Sequence, residues 1–275
     1  MNMTISVCWN SSESDKERSR TSADRALNFE NRRAQVRLVD SMSAQRYLIV
    51  NADDFGQSSG VNRGIIEACE RGIVTSASLM VRWPAAAEAA AYARAHQTLS
   101  VGLHVDLAEW AYKDETWFPL YEVVPANDRD AVATEVARPL EQFRDLCGSN
   151  PTHLDSHQHV HCKEPVHAVL TQLARELRVP LRHYSAHVRY QGAFYGQSAK
   201  GEAFPAGIST DALLNILKNL PAGFTELGCH PGWAEDLESM YRAERALEVK
   251  SLCDARVRSF LADAEIELCS FHDLH

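Results

Sequence analysis

The sequence contains no uninterrupted apolar run that approaches the roughly 20 residues a transmembrane helix needs. It is also short of positive charge, because 28 Lys and Arg face 37 Asp and Glu and leave a net charge of −9. Such a surface repels phosphate backbones and anionic lipids, so we expect neither integral membrane placement nor a nucleic-acid partner. With 45% hydrophobic and 24% charged residues, the 275-residue chain has the composition of an ordinary globular protein.

Two further features are missing, a CxxC pair and a secretory leader. The seven cysteines are odd in number and widely spread, which is typical of reduced thiols in a cytoplasm rather than of a disulfide framework. No positively charged lead followed by an apolar stretch is visible near Met1, so we expect no signal sequence. We therefore predict a cytoplasmic protein.

Residues 1–45 differ in composition from the rest of the chain. They combine mixed charge with few aromatics and little strand alternation, which predicts a poorly ordered N-terminal extension with at most a short helix between Asp24 and Val39. From Arg46 onward, apolar runs of strand length alternate with longer segments of helical period. We therefore predict that the folded domain covers residues 46–275.

This alternation predicts repeated βα units. Strands are predicted at Tyr47–Asp53, Ser76–Val81, Ser100–Leu107, Thr152–His157, Leu181–Tyr184, Thr225–His230 and Ile266–Ser270. Helices are predicted at Asn62–Arg71, Ala85–Ala95, Ala131–Leu146, Pro165–Leu177, Thr210–Leu220 and Ala243–Leu261. The pattern favours an α/β fold, a parallel seven-stranded (β/α) barrel of the TIM-like kind. A doubly wound open sheet is the structural alternative.

Two connections in this pattern are long and rich in aromatic residues. Residues 108–129 and 185–209 both follow predicted strands, so both would rise from the carboxyl face, where barrel enzymes keep their sites. Their aromatic side chains are Trp110, Trp117, Phe118, Tyr121, Tyr190, Phe194 and Tyr195. These side chains either stack on sugar rings or anchor the loops to the rim, and the sequence does not choose between the two.

Two adjacent carboxylates, Asp53 and Asp54, end the first predicted strand. Adjacent like charges repel each other, so neither residue is expected to be there for stability. In an ideal strand they would face opposite ways, but a turn at the strand tip can bring both toward one volume that a metal ion would stabilise. The alternative for Asp54 is that it caps the helix that begins near Ser58.

Histidines follow on the third and fourth predicted strands. His104 would point into the barrel, where it is either a hydrogen-bonded core residue or a ligand. The ionisable residues of the fourth strand recur at alternate positions, with His153, Asp155 and His157 on one face and His159 and His161 continuing into the following loop. Two histidines and a carboxylate suit Zn, Co, Mn or Fe and leave positions for water and substrate. A hydrogen-bonded polar stripe is the alternative.

His230 closes the sixth predicted strand, because Pro231 and Gly232 end the strand immediately after it. It would therefore lie on the same rim as the carboxylates and histidines of the other strands. A local role in the turn is the alternative for His230 alone. The convergence of four strand tips is the strongest functional signal in the chain.

These motifs in combination closely resemble the YdjC-like family, also called the ChbG/HpnK carbohydrate deacetylases. The resemblance runs from about Arg46 to Leu274 and rests on Asn51–Gly56, Gly102–His104, Thr152–His161 and Cys229–Gly232, with a weaker match at Phe194–Gly196. It implies a seven-stranded βα barrel related to the polysaccharide deacetylases. It also implies a divalent cation and the removal of acetyl groups from N-acetylated sugars such as chitooligosaccharides.

Carried onto this chain, the resemblance implies a role for each of five residues. Asp54, His104 and His157 become the metal ligands, Asp53 the general base and His230 the general acid, although Asp53 and Asp54 could exchange roles. Mg or Zn is the expected cation, with Mn or Co as alternatives. The implied reaction is metal-assisted hydrolysis of an acetamide, in which His230 protonates the departing amine.

The expected partner is a small N-acetylated sugar or oligosaccharide, and a homodimer is left open. One alternative is a metallohydrolase of another bond, such as a phosphoesterase or another amidase. Phosphate would need Lys or Arg near the strand tips, and only Arg182 and Arg189 qualify. A second alternative is a catalytically silent sugar-binding module. The pair of Asp53 and His230 argues against it, because binding alone requires neither an acid nor a base.

Overall fold

A parallel sheet organises the part of the chain that the structure, a computed structural model, describes, namely residues 45–233 and 235–274. The strands are β1 (Arg46–Phe55), β2 (Ser76–Leu79), β3 (Ser100–Val105), β4 (Ala108–Lys113), β5 (Thr116–Glu122), β6 (Leu154–Ser156), β7 (Val188–Gln191), β8 (Gly223–Cys229) and β9 (Ile266–Cys269). Seven of them form the sheet in the order β6-β3-β2-β1-β8-β7, and β9 pairs with the first half of β1. The other two, β4 and β5, form a separate antiparallel hairpin.

Helices connect most of the strands. They are α1 (Ser59–Glu70), α2 (Ala86–Ala95), α3 (Arg129–Cys147), α4 (Val166–Leu177), α5 (Thr210–Lys218), α6 (Ala243–Leu252) and α7 (Ala255–Asp263). The first five lie where the sequence predicts them. The single helix predicted over Ala243–Leu261 is wrong, because the first helix ends at Leu252 and a second begins at Ala255. Asp254 caps α7 by accepting a hydrogen bond from the Arg256 backbone N–H.

The fifth predicted strand is also wrong. Leu181–Tyr184 makes a single parallel bridge, between Leu181 and Leu154, and then turns as the Tyr184 N–H donates to the Leu181 carbonyl. His183 has a φ of 67° in this turn, which a continuing strand does not allow. The strand that pairs with β8 is instead β7, which lies within the connection predicted as a loop.

The predicted parallel α/β architecture is confirmed, but a closed barrel is not. The strand ladders of the described residues end at β6 on one side and at β7 on the other, so the sheet is a half-barrel. The bridge between Leu154 and Leu181 stands where the closing strand would lie. A bridge of one residue does not make a ladder.

Alternate residues of β1 face opposite sides of the sheet, as the twofold period of a strand requires. Leu48, Val50 and Ala52 are buried in the main core, which also contains residues of the helices. On the opposite face, Ile49 packs in a smaller apolar cluster, whose other buried members are Val188, Cys269 and Phe271. Above it on this face, Asn51 and Asp53 begin a buried polar network. The carboxyl end of the half-barrel is therefore polar inside.

Some predictions fall outside the described residues. These are the poorly ordered extension over residues 1–45, apart from Gln45, and the short helix between Asp24 and Val39. Within the described part of the chain, no helix has both the length and the apolar character needed to cross a membrane.

Candidate active site

A cavity of about 940 Å³ opens at the carboxyl ends of the strands. This volume is within the usual range of small-molecule sites. The structure brings all five predicted site residues into its lining: Asp53, Asp54, His104, His157 and His230. They come from β1, β3, the turn after β6 and the residue after β8. The predicted convergence of strand tips is therefore observed.

The two carboxylates share this cavity because the backbone turns between them. Asp54 has a φ of 67°, in the left-handed region that residues other than glycine rarely adopt. The pairing of β1 with β2 shifts register between Ala52 and Phe55, at the same place. Asp54 does not cap α1, because Ser58 does so by accepting from the Val61 backbone N–H. The conformation instead directs both carboxylates inward.

Asp54, His104 and His157 form a group whose ligand atoms all lie within 4.8 Å of one another. Asp54 Oδ1 is 3.4 Å from His104 Nε2 and 3.2 Å from His157 Nδ1. With ligand bonds of about 2.1 Å, neighbouring ligands around one ion lie about 3.0–3.4 Å apart. His157 Nε2 is buried and has no hydrogen-bond partner among the described residues. The group thus fits a divalent cation.

Neighbouring charges fix the orientation of these residues. Asp155 Oδ1 lies 2.8 Å from His104 Nδ1, which leaves His104 Nε2 to face Asp54, an arrangement common behind metal-binding histidines. Arg245, from α6, donates to Asp54 Oδ2 at 2.6 Å and so leaves Oδ1 for the histidines. Burial would raise the pKa of Asp54, but Arg245 and the imidazoles hold it well below its usual range. Asp54 is therefore ionised.

Asp53 is held by Arg182 rather than by the histidines. Arg182 Nη1 and Nη2 donate to Asp53 Oδ2 and Oδ1 at 2.6 and 2.7 Å. Arg182 also binds Asp155 and Glu226, each at 2.7 Å, and its side chain is 1% exposed. Burial would raise the pKa of Asp53, but the guanidinium lowers it below the ordinary value. Burial raises the pKa of Glu226 to about 7.

His230 lies on the other side of Asp53. Its Nε2 is 3.7 Å from Asp53 Oδ2, and its Nδ1 is 4.0 Å from Glu248 Oε1. Burial lowers the pKa of His230 to about 4, so the imidazole is neutral near pH 7. Glu248 accepts hydrogen bonds from the His230 backbone N–H and the Tyr241 hydroxyl. Burial raises the pKa of Glu248 to about 8.

His153 is a core residue and does not line the cavity. Its ring stacks on Phe271 at a centroid distance of 3.9 Å, and its Nε2 lies 3.0 Å from Ser78 Oγ. Burial lowers the pKa of His153 to about 3. A Cβ on Gly102 would stand 2.4 Å from the His153 ring, so only glycine fits there. Of the polar residues on the fourth predicted strand, His153 thus lies in the core and His157 in the site.

Some aromatic side chains of the two long connections line the cavity, and others anchor their loops. Trp110 and Trp117, on the hairpin of β4 and β5, line the cavity and are 37% and 48% exposed. Tyr190 and Tyr195 line it too. Tyr121 anchors its loop instead, because its hydroxyl donates to Asp106 Oδ1 at 2.8 Å. Anchoring is therefore observed for Tyr121, and stacking on a sugar ring stays a prediction for the aromatic residues that line the cavity.

Sequence reasoning missed Arg245, Glu226 and Glu248, and it considered Arg182 only as a contact for phosphate. Their partners lie far away along the chain, because Arg182 follows Asp53 by 129 positions and Arg245 follows Asp54 by 191. No local period links such pairs. An arginine within the predicted strand Leu181–Tyr184 was the signal that the sequence offered.

Comparisons with known proteins agree with this architecture. The family model described as YdjC-like protein matches residues 47–263. A carbohydrate deacetylase of Geobacillus stearothermophilus is 32% identical over 84% of this chain and 98% of its own length. A chitooligosaccharide deacetylase of Klebsiella pneumoniae is 33% identical over 84% of this chain and all of its own length.

Solved structures extend the likeness to the fold. A crystal structure from Enterococcus faecalis V583, whose name proposes a role in cellobiose-phosphate cleavage, covers 84% of this chain and 99% of its own, with 26% identity and a TM-score of 0.69. A CE4 esterase of Streptococcus mutans shares the fold at 11% identity and a TM-score of 0.51, over 83% of this chain and 87% of its own. Because the family model and the full-length relatives cover most of the sequence, this chain belongs to the YdjC-like protein family.

Proposed function

We propose that this protein is a metal-dependent carbohydrate deacetylase, which hydrolyses the N-acetyl group of a sugar or short oligosaccharide. One observation carries the proposal. A three-residue ligand group faces a buried carboxylate and a histidine across one cavity. Relatives that align over nearly their full length are named carbohydrate deacetylase and chitooligosaccharide deacetylase, which supports the same reaction.

Asp54, His104 and His157 would hold the cation. Their spacing supports this ligand set over one built on Asp53, whose oxygens are both taken by Arg182. A divalent cation bound there supplies Lewis-acid polarisation of the acetyl carbonyl and lowers the pKa of water. Both Mg²⁺ and Zn²⁺ remain compatible with one carboxylate and two imidazoles.

Asp53 acts as the general base. Arg182 keeps it ionised at neutral pH, and Asn51 Nδ2, which donates to Asp53 Oδ1 at 2.9 Å, fixes its orientation. An ionised carboxylate in the cavity wall takes a proton from the attacking water as the bond to the acetyl carbon forms. The bidentate contact with Arg182 also compensates for the burial of this charge.

His230 acts as the general acid. It is neutral at rest, so it must first receive a proton before it can donate one. Asp53 Oδ2 is 3.7 Å from His230 Nε2, which allows the proton taken from water to pass to the imidazole. His230 then protonates the amide nitrogen, and the C–N bond breaks to release acetate and the free amine. Amide hydrolysis needs this step because an unprotonated amine is a poor leaving group.

The structure gives less support to a phosphoesterase. Arg182, the nearer of the two arginines that would favour phosphate, is engaged with Asp53, Asp155 and Glu226 and has no exposed donor to offer. Arg189 is exposed and outside the cavity lining. A catalytically silent sugar-binding module would leave unexplained why Asp53 and His230 face the ligand group.

An acetate-release screen tests the proposal. Purified protein is incubated with N-acetylglucosamine oligomers, diacetylated disaccharides and N-acetylated lipid-linked sugars, each with Mg²⁺, Zn²⁺, Mn²⁺ or Co²⁺. We expect acetate from at least one substrate, and none from His157→Ala, which should also lose the cation bound by Asp54 and His104. His230→Ala should lose turnover but keep its metal. Absence of acetate with all substrates and metals, or inverted metal contents in the two variants, would contradict the proposal.

A further inference from the structure

A second group of histidines lies beside the first. His159 and His161 belong to the turn that follows β6, and His183 follows the bridge at Leu181. Their ligand atoms all lie within 4.8 Å of one another, although the three residues have no part in the reaction proposed above. His159 Nδ1 is 3.3 Å from His183 Nε2. Three imidazoles thus converge on one small volume.

His161 is the residue of this group with a buried nitrogen that lacks a hydrogen-bond partner among the described residues. Its side chain is fully buried, and its Nε2 has no hydrogen-bond partner among the described residues. Its Nδ1 lies 2.6 Å from Ser156 Oγ, which also accepts the His161 backbone N–H at 3.0 Å. A hydroxyl oxygen can accept two hydrogen bonds, so Ser156 can take the Nδ1–H and leave a lone pair on Nε2. Hydrogen bonding in this way orients many metal-binding histidines.

A hydrogen bond between His159 and His183 does not account for the group. Such a bond would satisfy one nitrogen of each residue but would leave His161 Nε2 buried and unpaired. His159 and His183 both have left-handed backbone conformations, with φ of 52° and 67°. Non-glycine residues adopt this region at a cost, and such residues concentrate at functional sites. Here the conformation directs two side chains toward a third.

The local charge tolerates a cation despite the neighbouring arginine. Arg182 precedes His183, but its guanidinium is bound by three carboxylates at 2.6–2.7 Å. The group itself contains no carboxylate. Purely imidazole sites suit Zn²⁺, Co²⁺, Ni²⁺ or Cu²⁺, whereas Mg²⁺ and Ca²⁺ prefer oxygen ligands. The chemistry of the donors therefore distinguishes this group from the group of Asp54, His104 and His157.

We propose that His159, His161 and His183 form a second metal site, which takes a transition cation of the Zn²⁺ type. Three protein ligands leave a coordination position open for water or a ligand oxygen. Because His159 also lines the cavity, the ion would lie in the cavity wall. The chain would then bind two Zn²⁺ ions but only one Mg²⁺ ion.

Metal stoichiometry tests this site without any use of enzyme activity. Full-length protein without a histidine tag is dialysed against micromolar Zn²⁺ or Co²⁺, and bound metal is measured by mass spectrometry. We expect two ions in the wild type and one in His183→Ala. His187→Ala is the matched control, because His187 is exposed on the same connection four residues later, and it should keep two ions. Thermal unfolding of each variant checks that it is folded.

The two sites can be separated by a further variant. His157→Ala should also bind one ion, and His157→Ala with His183→Ala should bind none. If the catalytic group bound no Zn²⁺, the wild type and His157→Ala would each bind one ion and His183→Ala none. If the second site did not exist, the wild type and His183→Ala would each bind one ion and His157→Ala none. A His183→Ala variant that binds as many ions as the wild type, or equal loss in His187→Ala, would therefore overturn the second site.

Discussion

Replacement of Arg182 by methionine should destabilise the protein strongly at neutral pH. The guanidinium, whose side chain is 1% exposed, is bound by Asp53, Asp155 and Glu226. Methionine has a long, flexible side chain that fills much of the space of the arginine, but it leaves these buried carboxylates without their cation. Removal of one partner of a buried ion pair costs about 3–5 kcal/mol, so we expect a loss of at least this order in the free energy of unfolding.

The loss should depend on pH. In the wild type, the pKa of Asp53 is lowered, so its contribution to stability is present above the unfolded pKa and is lost as the pH falls through the folded pKa. Without Arg182, burial raises the pKa values of the carboxylates and is opposed mainly by His104, which lowers those of Asp53 and Asp155. A raised pKa favours the folded state only while the carboxylate is protonated. The difference between variant and wild type should therefore be large at pH 7 and smaller near pH 4.5.

Urea unfolding at these two pH values measures the effect. Arg189→Met is the matched control, since Arg189 is exposed on the same connection, and it should change the free energy of unfolding little at either pH. Glu226→Gln in the Arg182→Met background should recover part of the loss, because it removes one of the unpaired carboxylates. The reasoning is refuted if Arg182→Met loses the same free energy at both pH values, or no more than Arg189→Met.

Four further predictions concern the activity. Chelation should abolish acetate release, and added divalent cation should restore it; full turnover in metal-free protein would exclude the proposed ligand set. His230→Ala should lower kcat for an N-acetylated sugar by about two to four orders of magnitude but affect an aryl acetate less, because a better leaving group needs less protonation; equal losses on both substrates would contradict its role as the acid. Trp110→Ala and Trp117→Ala should each raise KM up to about tenfold with kcat little changed if these side chains stack on the sugar, which steady-state kinetics on a chitooligosaccharide would measure. A chain that begins near Ser43 should remain soluble and active, and a truncated protein that fails either assay would show that residues 1–42 are required.

The sequence alone determined the order of most elements and the composition of the rim, but it predicted loops where β4, β5 and β7 lie. The spacing of apolar residues and the positions of turn residues are local properties of the sequence. They therefore predict the bounds of β1, β8 and most helices within a few residues. The histidines and carboxylates at the strand ends were identifiable for the same reason, because parallel strands bring their carboxyl ends to one edge. The segment Leu181–Tyr184 was misassigned because it stands where the alternation of predicted helices and strands calls for a strand, whereas the left-handed His183 ends the pairing.

Only the tertiary structure decided which charge each site residue meets. Asp53 and Asp54 are equivalent in the sequence, but a left-handed backbone at Asp54 sends it toward His104 and His157, while Asp53 meets Arg182. A second imidazole group likewise forms only when two separate connections meet. Such pairings depend on the path of the whole chain, because Coulomb and metal-ligand interactions act over a few ångströms in space and have no period along the sequence.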